Sequence, residues 1–473
     1  MPRGLTLVMG LILAGCASLP RDLPPRPAML HPQADRTLAT LAREVRTAPM
    51  SGDGAPWWQA FRRPSLSRLE DEALKGNPDL TTARARLEAA ARAEALARLN
   101  AGVHYSTDAT MVRERFSENG IFPPPIGGST YTQTDLTQSF TYAPDLWGRN
   151  RALVEAAHAG TQGARAAAEA TRLTLSAAVA DAYFAWADSN AELALAQAIE
   201  ARHQREYELT DTRFALGLDS IAPVHEARQK LDLDKDRVQG LIYLDRTWRY
   251  RLAALIGLDP DHAAGLPEPS LEGLVPQLPA SLPLDALAHR PDVAAQRADL
   301  EAAQAQSAAT RAEFYPNIDL NAAIGLETLD LETLLNRSSL MFTVGPALHL
   351  PLFNTRTLQA RLGIREADIS AAVGVYNHTI LEAARQVADR YAVNASLDQR
   401  EASQQQALNE AEQVRALVDR RLELGLVRPL DALQADSAVL EQQLNATQLL
   451  ASQLRARVAL AEALGGVTQP SKE

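Results

Sequence analysis

The most constraining feature of this sequence is a stretch without proline from Arg149 to Leu216, in which 21 residues are alanine. Alanine favours the helix more than any other residue and proline interrupts helices, so the stretch predicts one unbroken helix. At 1.5 Å per residue this helix is about 100 Å long, far longer than an ordinary globular domain requires. Its larger apolar residues recur at spacings of three, four or seven: Leu175, Val179, Ala182, Trp186, Leu193 and Ala196. This spacing is typical of helices that pack side by side in a supercoiled assembly.

The sequence contains a second stretch of the same kind, from Thr357 to Leu424, again without proline. Both stretches end in the same tripeptide, Leu216-Gly217-Leu218 and Leu424-Gly425-Leu426, at an offset of 208 positions (425 − 217). The same offset relates further pairs: Arg213 with Arg421, and Gly257 with Gly465. Self-similarity at a fixed offset is the signature of a repeated architecture, so we interpret the chain as two tandem structural repeats.

Each repeat also contains a region where the apolar spacing changes to strict alternation, which predicts β-strands. The alternation covers about 103–142 in the first repeat and about 317–350 in the second, and each region predicts a hairpin with one apolar face and one polar or small face. About ten residues per strand suits the thickness of a membrane, where the apolar side chains would face lipid. Four strands cannot close a barrel, so we expect the strands to be shared between chains.

These patterns divide the chain into consecutive segments. Repeat 1 is predicted to span 57–257 and repeat 2 to span 291–466, with a proline-rich connector at 258–290 and a tail at 467–473. Within each repeat, two shorter helices are expected to stack end to end beside the long helix, so that a helical hairpin carries the strand hairpin at one end. Trp57-Trp58, at the start of repeat 1, is expected to pack on a helix.

The N-terminus is predicted to be a lipoprotein signal. Arg3 precedes an apolar stretch, and the following Leu13-Ala14-Gly15-Cys16 resembles the cleavage site of bacterial lipoproteins. We expect residues 1–15 to be removed and Cys16, the only cysteine in the chain, to carry a covalent lipid. Residues 16–56 contain seven prolines, which predicts an extended linker between the lipid and the first repeat.

Composition and motifs exclude several classes of function. The net charge of −11 is unsuited to a nucleic-acid-binding surface. The nine histidines lack the spacing of a metal site, and the sequence has neither a glycine-rich phosphate loop nor a nucleophile turn. We therefore expect no enzyme activity, no bound metal and no cofactor apart from the lipid on Cys16. No apolar run reaches the length that a membrane-spanning helix needs.

A series of short motifs occurs in a specific order along the mature chain: Trp57-Trp58, Asn77-Pro78-Asp79-Leu80, Asp145-Leu146-Trp147-Gly148-Arg149, His289-Arg290-Pro291-Asp292, Phe314-Tyr315-Pro316 and Pro351-Leu352-Phe353. Together with the lipoprotein signal and the duplication, they resemble the TolC-type outer-membrane efflux factors, specifically the NodT-type lipoprotein branch. The resemblance implies an α+β membrane protein in which a long antiparallel coiled-coil helical barrel continues into a transmembrane β-barrel. Trimerisation would complete both barrels, with four strands from each chain.

The same resemblance implies a location, partners and a function. The homotrimer would lie in the outer membrane, anchored by its lipid, with its helical tunnel in the periplasm. Its partners would be outer-membrane lipid, a periplasmic membrane-fusion adaptor and an inner-membrane pump of the resistance/nodulation/division class. The expected function is the export of drugs or other toxic small molecules from the periplasm to the exterior.

The resemblance also implies roles for individual residues. Gly217-Leu218 and Gly425-Leu426 end the two long helices, at the tips that meet the adaptor in this family. Asp431 matches the family's pore-constricting aspartate, and Gln434 lies one helical turn further on. A trimer would bring three Asp431 carboxylates into a ring that favours cations and raises the pKa of its members by mutual repulsion. Asp436 is the alternative, because the register of this segment is open by a residue or two.

Two other functions are compatible with the sequence. An outer-membrane component of type I protein secretion would use the same kind of channel, and nothing in the chain distinguishes its cargo from small molecules. A structural lipoprotein that bridges the layers of the envelope would explain the long helices. It would not explain the alternating strand hairpins, which favour a channel.

Overall fold

The structure, a computed structural model, describes residues 19–20, 25–30, 47–48, 56–273, 275–279 and 285–466. The predicted signal segment, Cys16 and the C-terminal tail at 467–473 lie outside these ranges. Contacts divide the chain into two compact units. The strand unit comprises Met1–Met29, Arg86–Arg165 and Ala295–Tyr376, and the helical unit comprises Leu30–Ala85, Ala166–Ala294 and Asn377–Glu473.

The helices follow the predicted pattern. In chain order they are α1 Pro64–Gly76, α2 Pro78–Asn100, α3 Arg149–Ala215, α4 Ala222–Leu255, α5 Pro291–Ala312, α6 Thr355–Glu423 and α7 Pro429–Ala463, with 3-10 turns at Trp57–Phe61, Pro260–Gly265, Leu331–Thr333 and Arg337–Ser339 and one helical turn at Asp285–Ala288. The prediction of two uninterrupted long helices is confirmed, since α3 has 67 residues and α6 has 69. Proline begins four of the helices, because the first helical N–H needs no acceptor within the helix. None of the helices in the described ranges is long and apolar enough to cross a membrane.

The two long helices end in the same way. Gly217 after α3 and Gly425 after α6 adopt left-handed φ angles of +71° and +69°. The next residue then donates its backbone N–H to the carbonyl five residues earlier, Leu218 to Arg213 at 2.9 Å and Leu426 to Arg421 at 2.8 Å. This cap satisfies carbonyl oxygens that the last helical turn leaves free, and glycine adopts the required φ without strain. Positions 208 apart (425 − 217) therefore share backbone geometry as well as sequence.

The strand unit contains a four-stranded antiparallel sheet in the order β1-β2-β3-β4, with β1 His104–Arg115, β2 Thr130–Tyr142, β3 Asn317–Thr328 and β4 Leu340–His349. Each predicted hairpin supplies two neighbouring strands, and β2 pairs with β3 to join the hairpins. One row of paired residues crosses the whole sheet: Ala109, Leu136, Leu326 and Leu340. Directly paired residues lie on the same face of a sheet. The predicted alternation is confirmed, and it gives the sheet one mainly apolar face, in which Thr107 and Gln138 occupy the row that ends at Ile324 and Phe342.

This apolar face is exposed in the single chain. Tyr105 on β1 is 77% exposed, and Phe342 and Val344 on β4 are 76% and 77% exposed. Within the described residues β1 and β4 each pair on one side only, so the sheet has two open edges. Open edges and a large exposed apolar face are features that soluble single-chain proteins avoid.

The helical unit has its main core where the residues before α1 pack on α3. Trp57, Trp58 and Phe61 lie on a 3-10 turn and are buried. The ring of Phe61 lies 5.1 Å from that of Phe184 on α3, and the indole N–H of Trp57 donates to Ser176 Oγ at 3.1 Å. The expectation that the tryptophan pair packs on a helix is confirmed.

Candidate functional site

The turns after α3 and α6 present matched apolar surfaces. We call residues 216–221 tip 1 and residues 424–428 tip 2; both lie in the helical unit. Leu216 and Leu218 of tip 1 are 69% and 62% exposed, and Leu424 and Leu426 of tip 2 are 67% and 68% exposed. Each leucine left in water forgoes about 1.5–3 kcal/mol of burial free energy. Two such exposed pairs lie at equivalent places, one after α3 and one after α6.

The glycine between each pair of leucines has open space around it. A Cβ atom built on Gly217 or Gly425 meets no atom within 4 Å. A side chain at either position is therefore opposed by the left-handed backbone and not by a steric clash. The two glycines set the direction of each turn, and the leucines beside them supply its exposed apolar side chains.

The two tips differ in charge. In tip 1, Arg213 Nε donates to Asp219 Oδ2 at 2.6 Å. This hydrogen bond lowers the pKa of Asp219, and the nearby charge of Arg428 acts in the same direction. The position that corresponds to Asp219 in the second repeat is Val427, and Arg421 has no ion pair within the part of the chain that the structure describes. Tip 1 therefore carries a neutralised arginine and tip 2 an unpaired one.

Asp431 caps the start of α7. Its Oδ2 accepts the backbone N–H of Arg428 at 2.9 Å, and its Oδ1 accepts Nη2 of the same residue at 2.8 Å. These hydrogen bonds lower the pKa of the Asp431 carboxyl. The sequence-based prediction of a raised pKa considered only repulsion between the carboxylates of a ring. In the single chain the direction is reversed, because the carboxylate is already bonded to an arginine.

Gln434 joins α7 to α3. Its Nε2 donates to Oε1 of Glu206 at 3.3 Å, and Lys230 Nζ on α4 donates to the same oxygen at 3.4 Å. These residues line a groove of about 480 Å³ together with His203 and Asp234. The side chains of His203 and Asp234 form their own hydrogen bond at 2.5 Å. Gln434 is therefore part of a polar contact among three helices.

Asp436 is held by two arginines on other helices. Arg415 Nε on α6 lies 2.6 Å from Asp436 Oδ1, and Arg202 Nε on α3 lies 3.2 Å from Oδ2. The side chain of Asp436 is 21% exposed, less than the 31% of Asp431. The two candidate carboxylates therefore differ, because Asp431 bonds at the start of its own helix and Asp436 ties three helices together.

Sequence reasoning identified the tips and the carboxylates but missed their partners. Arg428 had a usable signal, since Pro429 and Asp431 after it form the pattern of a helix start with an acid at the third helical position. Glu206 had no such signal, because its contact with Gln434 joins residues 228 positions apart. Local patterns reveal helix caps but not which helices meet.

The remaining predicted features concern a lipid and metals. Cys16, the predicted lipidation residue, lies outside the described residues. Across the described ranges, no group of three or more His, Cys, Asp or Glu side chains is arranged to hold a metal ion. The predicted site residues that lie within the described ranges are those of the two tips together with Asp431, Gln434 and Asp436.

Comparison with known proteins identifies the class of this chain. The sequence profile of the family described as outer membrane efflux protein matches residues 69–258 and 282–466. The chain belongs to the outer membrane efflux protein family. This efflux protein is 28% identical over 464 residues to the multidrug resistance outer membrane protein MdtP of Escherichia coli strain K12, a match that covers 96% of the chain and 94% of MdtP.

Solved structures agree with this assignment. The outer membrane protein VceC of Vibrio cholerae is 31% identical, with a TM-score of 0.77 over 88% of this chain and 100% of VceC. The outer-membrane channel OprN has a TM-score of 0.82 over 96% of this chain and 100% of OprN, and at 23% identity it shows the fold alone. The efflux protein is thus located in the outer membrane, and its recognition from sequence motifs as an outer-membrane efflux factor is confirmed.

Proposed function

We propose that this efflux protein is the outer-membrane channel of a tripartite pump that exports drugs or other toxic small molecules from the periplasm to the exterior. The observation that carries the proposal is the four-stranded sheet, with an exposed apolar face and two open edges. The printed name of MdtP refers to multidrug resistance, which supports the same class of substrate for this chain.

A homotrimer gives the sheet the partners that it lacks. Three sheets of four strands make twelve, with β1 of one chain beside β4 of the next and the apolar face in contact with outer-membrane lipid. Eight-stranded barrels are filled by their own side chains and sixteen-stranded barrels contain aqueous channels. A twelve-stranded barrel lies between them and encloses a pore, which one chain alone does not.

The helices would form the periplasmic part of the same channel. Each chain contributes four helical columns, of which α3 and α6 are two and the shorter helices make the others, so a trimer has twelve. Twelve helices about 10 Å apart make a ring of roughly 120 Å circumference, and subtracting the helix thickness leaves a bore of about 25 to 30 Å. A drug-sized molecule is narrower than such a bore and passes through it without touching the whole wall at once.

The tips are the proposed contact with a periplasmic membrane-fusion adaptor, which would connect the channel to an inner-membrane pump of the resistance/nodulation/division class. The exposed pairs beside Gly217 and Gly425, including Leu218 and Leu426, support this role because they offer apolar area at the ends of the long helices. Asp431, close to tip 2, is the proposed constriction. Its carboxylate is ionised and paired with Arg428, so the proposed selectivity for cations requires that the oxygens of three such carboxylates face the pore.

Passage through a pore needs no catalytic group, so we propose that the protein is not an enzyme and has no cofactor. Its anchor would be the lipid on Cys16. Type I protein secretion remains the alternative cargo, and the name of MdtP favours small molecules over it. A structural lipoprotein that only bridges the envelope is disfavoured, because it has no use for an exposed apolar sheet.

Conductance in a planar lipid bilayer tests the channel. We expect the purified trimer to give discrete current steps, and the chain to restore drug resistance in a strain that lacks its own efflux channel. Val344→Lys places a charge on the apolar face, at a cost of about 2–4 kcal/mol in lipid, and should prevent insertion. The control is Thr343→Lys, one residue earlier on the opposite face, which should insert and change ion selectivity. Absence of current from the unmodified protein, or equal tolerance of both lysines, would overturn the proposal.

A further inference from the structure

The buried carboxylate of Glu366 on α6 accepts four hydrogen bonds. Its side chain is 2% exposed. Oε1 accepts Ser307 Oγ at 2.7 Å and Arg311 Nη2 at 2.8 Å, both from α5. The other two donors belong to Arg26, whose Nη2 lies 3.1 Å from Oε1 and whose Nε lies 2.9 Å from Oε2. A guanidinium that contacts both oxygens of a carboxylate is among the strongest side-chain pairs in proteins.

Arg26 supplies the hydrogen bond that Oε2 of Glu366 accepts, whereas the other three hydrogen bonds reach Oε1. The hydrogen bond from Arg26 is the largest cause that lowers the pKa of Glu366 to about 2, ahead of those from Ser307 and Arg311. Glu366 is therefore ionised at every physiological pH, and the contact does not depend on a proton. Without Arg26 the charge of Arg311 still balances that of Glu366, but the buried Oε2 loses the donor that reaches it among the described residues, so the site favours occupancy by a second guanidinium.

A second contact fixes the direction of the N-terminal segment. The backbone N–H of Leu30 donates to Oδ1 of Asn377 at 2.8 Å. Asn377 follows Glu366 by 11 residues (377 − 366) on α6, which is about 16 Å along a helix. From Arg26 to Leu30 the segment therefore runs towards the C-terminal end of α6. The N-terminal end of α6, which is nearer to Glu366 than to Asn377, follows β4 along the chain.

Chain length limits how far Cys16 can lie from this contact. Cys16 precedes Arg26 by ten residues (26 − 16), which span at most about 36 Å. Glu366 lies 11 residues (366 − 355) from the start of α6, or about 16 Å. The next described contact along the chain is the strand pairing of Thr47 with Leu278. If neither Arg26 nor Leu30 were held, the 31 residues (47 − 16) between Cys16 and Thr47 would let Cys16 lie up to about 110 Å from that pairing.

We propose that Ser307, Arg311 and Glu366 form a latch that receives Arg26 and makes residues 25–30 a strap. The strap holds the lipid of Cys16 within reach of the strand end of α6, so that the acyl chains enter the membrane beside the strands of their own chain. The ligand of the latch is the guanidinium of Arg26, and the target of the anchor is a lipid surface. The anchoring role rests on the proposed lipidation of Cys16, whereas the latch does not.

Hydrogen–deuterium exchange of the full-length trimer in lipid nanodiscs tests the latch. Arg26→Met keeps an unbranched apolar stem and removes the charge and the donors, and we expect the Leu30 amide to exchange at least tenfold faster. The matched control is Arg365→Met, which removes the same charge next to Glu366 but breaks only the exposed pair with Asp368 at 3.2 Å. Glu366→Gln should also raise the exchange of Leu30. Unchanged exchange in both Arg26→Met and Glu366→Gln would overturn the latch.

Spin labels test the anchoring role separately. Labels on Leu19→Cys and Leu352→Cys, both exposed, should give a narrow distance distribution in the otherwise unmodified protein and a broad one when Arg26→Met is added. An equally narrow distribution in both would overturn the role of the strap. If labelled fatty acid does not enter the protein at all, the proposed lipidation is wrong, and the exchange of Leu30 still decides whether the latch exists. In Cys16→Ser the Leu30 amide should remain protected from exchange, because the latch does not depend on the lipid.

Discussion

Tip 1 and tip 2 have the same backbone and different charges. Gly217 and Gly425 adopt the same φ within 2° (71 − 69), and each lies between two exposed leucines. Asp219 of tip 1 neutralises Arg213 in the last turn of α3, whereas Val427 of tip 2 offers no carboxylate to Arg421 in the last turn of α6. The end of a long helix requires a left-handed residue and the correct cap, so those features stay alike in both repeats. Side chains outside the cap are free to differ, and the difference would give the proposed adaptor two distinct contacts.

The largest expected effect comes from valine at the shared glycines. In Gly217→Val and in Gly425→Val, a β-branched residue must adopt a left-handed φ, which costs about 1–2 kcal/mol or more. Both variants should lose the tip geometry and most of the drug resistance, with at least a tenfold drop in the inhibitory concentration. As a control, Gly240→Ala in the interior of α4, where a Cβ meets no atom within 4 Å, should be neutral or stabilising by about 0.5–1 kcal/mol. Loss of resistance in one valine variant alone would show that the tips are not equivalent in backbone.

The next effect separates the two carboxylates near tip 2. Asp431→Ala should abolish the cation selectivity of the channel and cost about 1 kcal/mol for the lost helix cap. Asp436→Ala should keep the selectivity and loosen the contact of α7 with α3 and α6, because two arginines lose their partner. Reversal potentials in a salt gradient measure the selectivity. A change in the Asp436→Ala channel alone would shift the constriction to that residue, and no change in either would end the proposal.

Polar replacement of the exposed leucines tests docking without a change in the fold. Leu218→Ser and Leu426→Ser should alter the free energy of unfolding by less than about 0.5 kcal/mol, because both side chains are already in water. Each should weaken cross-linking to the adaptor roughly tenfold, since an apolar contact of about 1.5 kcal/mol is lost. Equal cross-linking in both variants and in the unmodified protein would remove the docking role from the tips.

The smallest effect comes from exchanging the charges of the tips. Asp219→Val gives tip 1 the residue of tip 2, and Val427→Asp does the reverse; an exposed ion pair contributes about 0.2–1 kcal/mol. Because the pKa of Asp219 is lowered in the folded chain, its pair with Arg213 stabilises tip 1 above the unfolded pKa of about 4 and is lost as pH falls through the folded pKa. Proteolysis at tip 1 should therefore increase on acidification below about pH 4 in the unmodified protein. The increase should be absent in Asp219→Val, and its persistence there would assign it to another group.

Most of the fold could be predicted from the sequence, because its elements are long and strongly patterned. The ends of α3 and α6 lie within two residues of the predicted positions, and the strand faces follow the alternation. The contacts that decide the chemistry could not be predicted in the same way. Arg26 and Glu366 are 340 positions apart, and no local pattern links them. The rise in pKa expected for a ring of three Asp431 carboxylates stays a prediction, whereas the cap by Arg428, which lowers the pKa in the single chain, was not considered.

The open edges of the sheet affect the folding and assembly of the chain. A strand that completes its hydrogen bonds only with a neighbouring copy has a stability that depends on the concentration of chains, as in any obligate oligomer. In the proposed trimer, dilution would therefore remove the outer pairing of β1 and β4, while the core around Trp57 and Phe184 retains its own contacts. The chain is most vulnerable between its synthesis and its assembly, when any other extended segment can occupy the place of the correct neighbour.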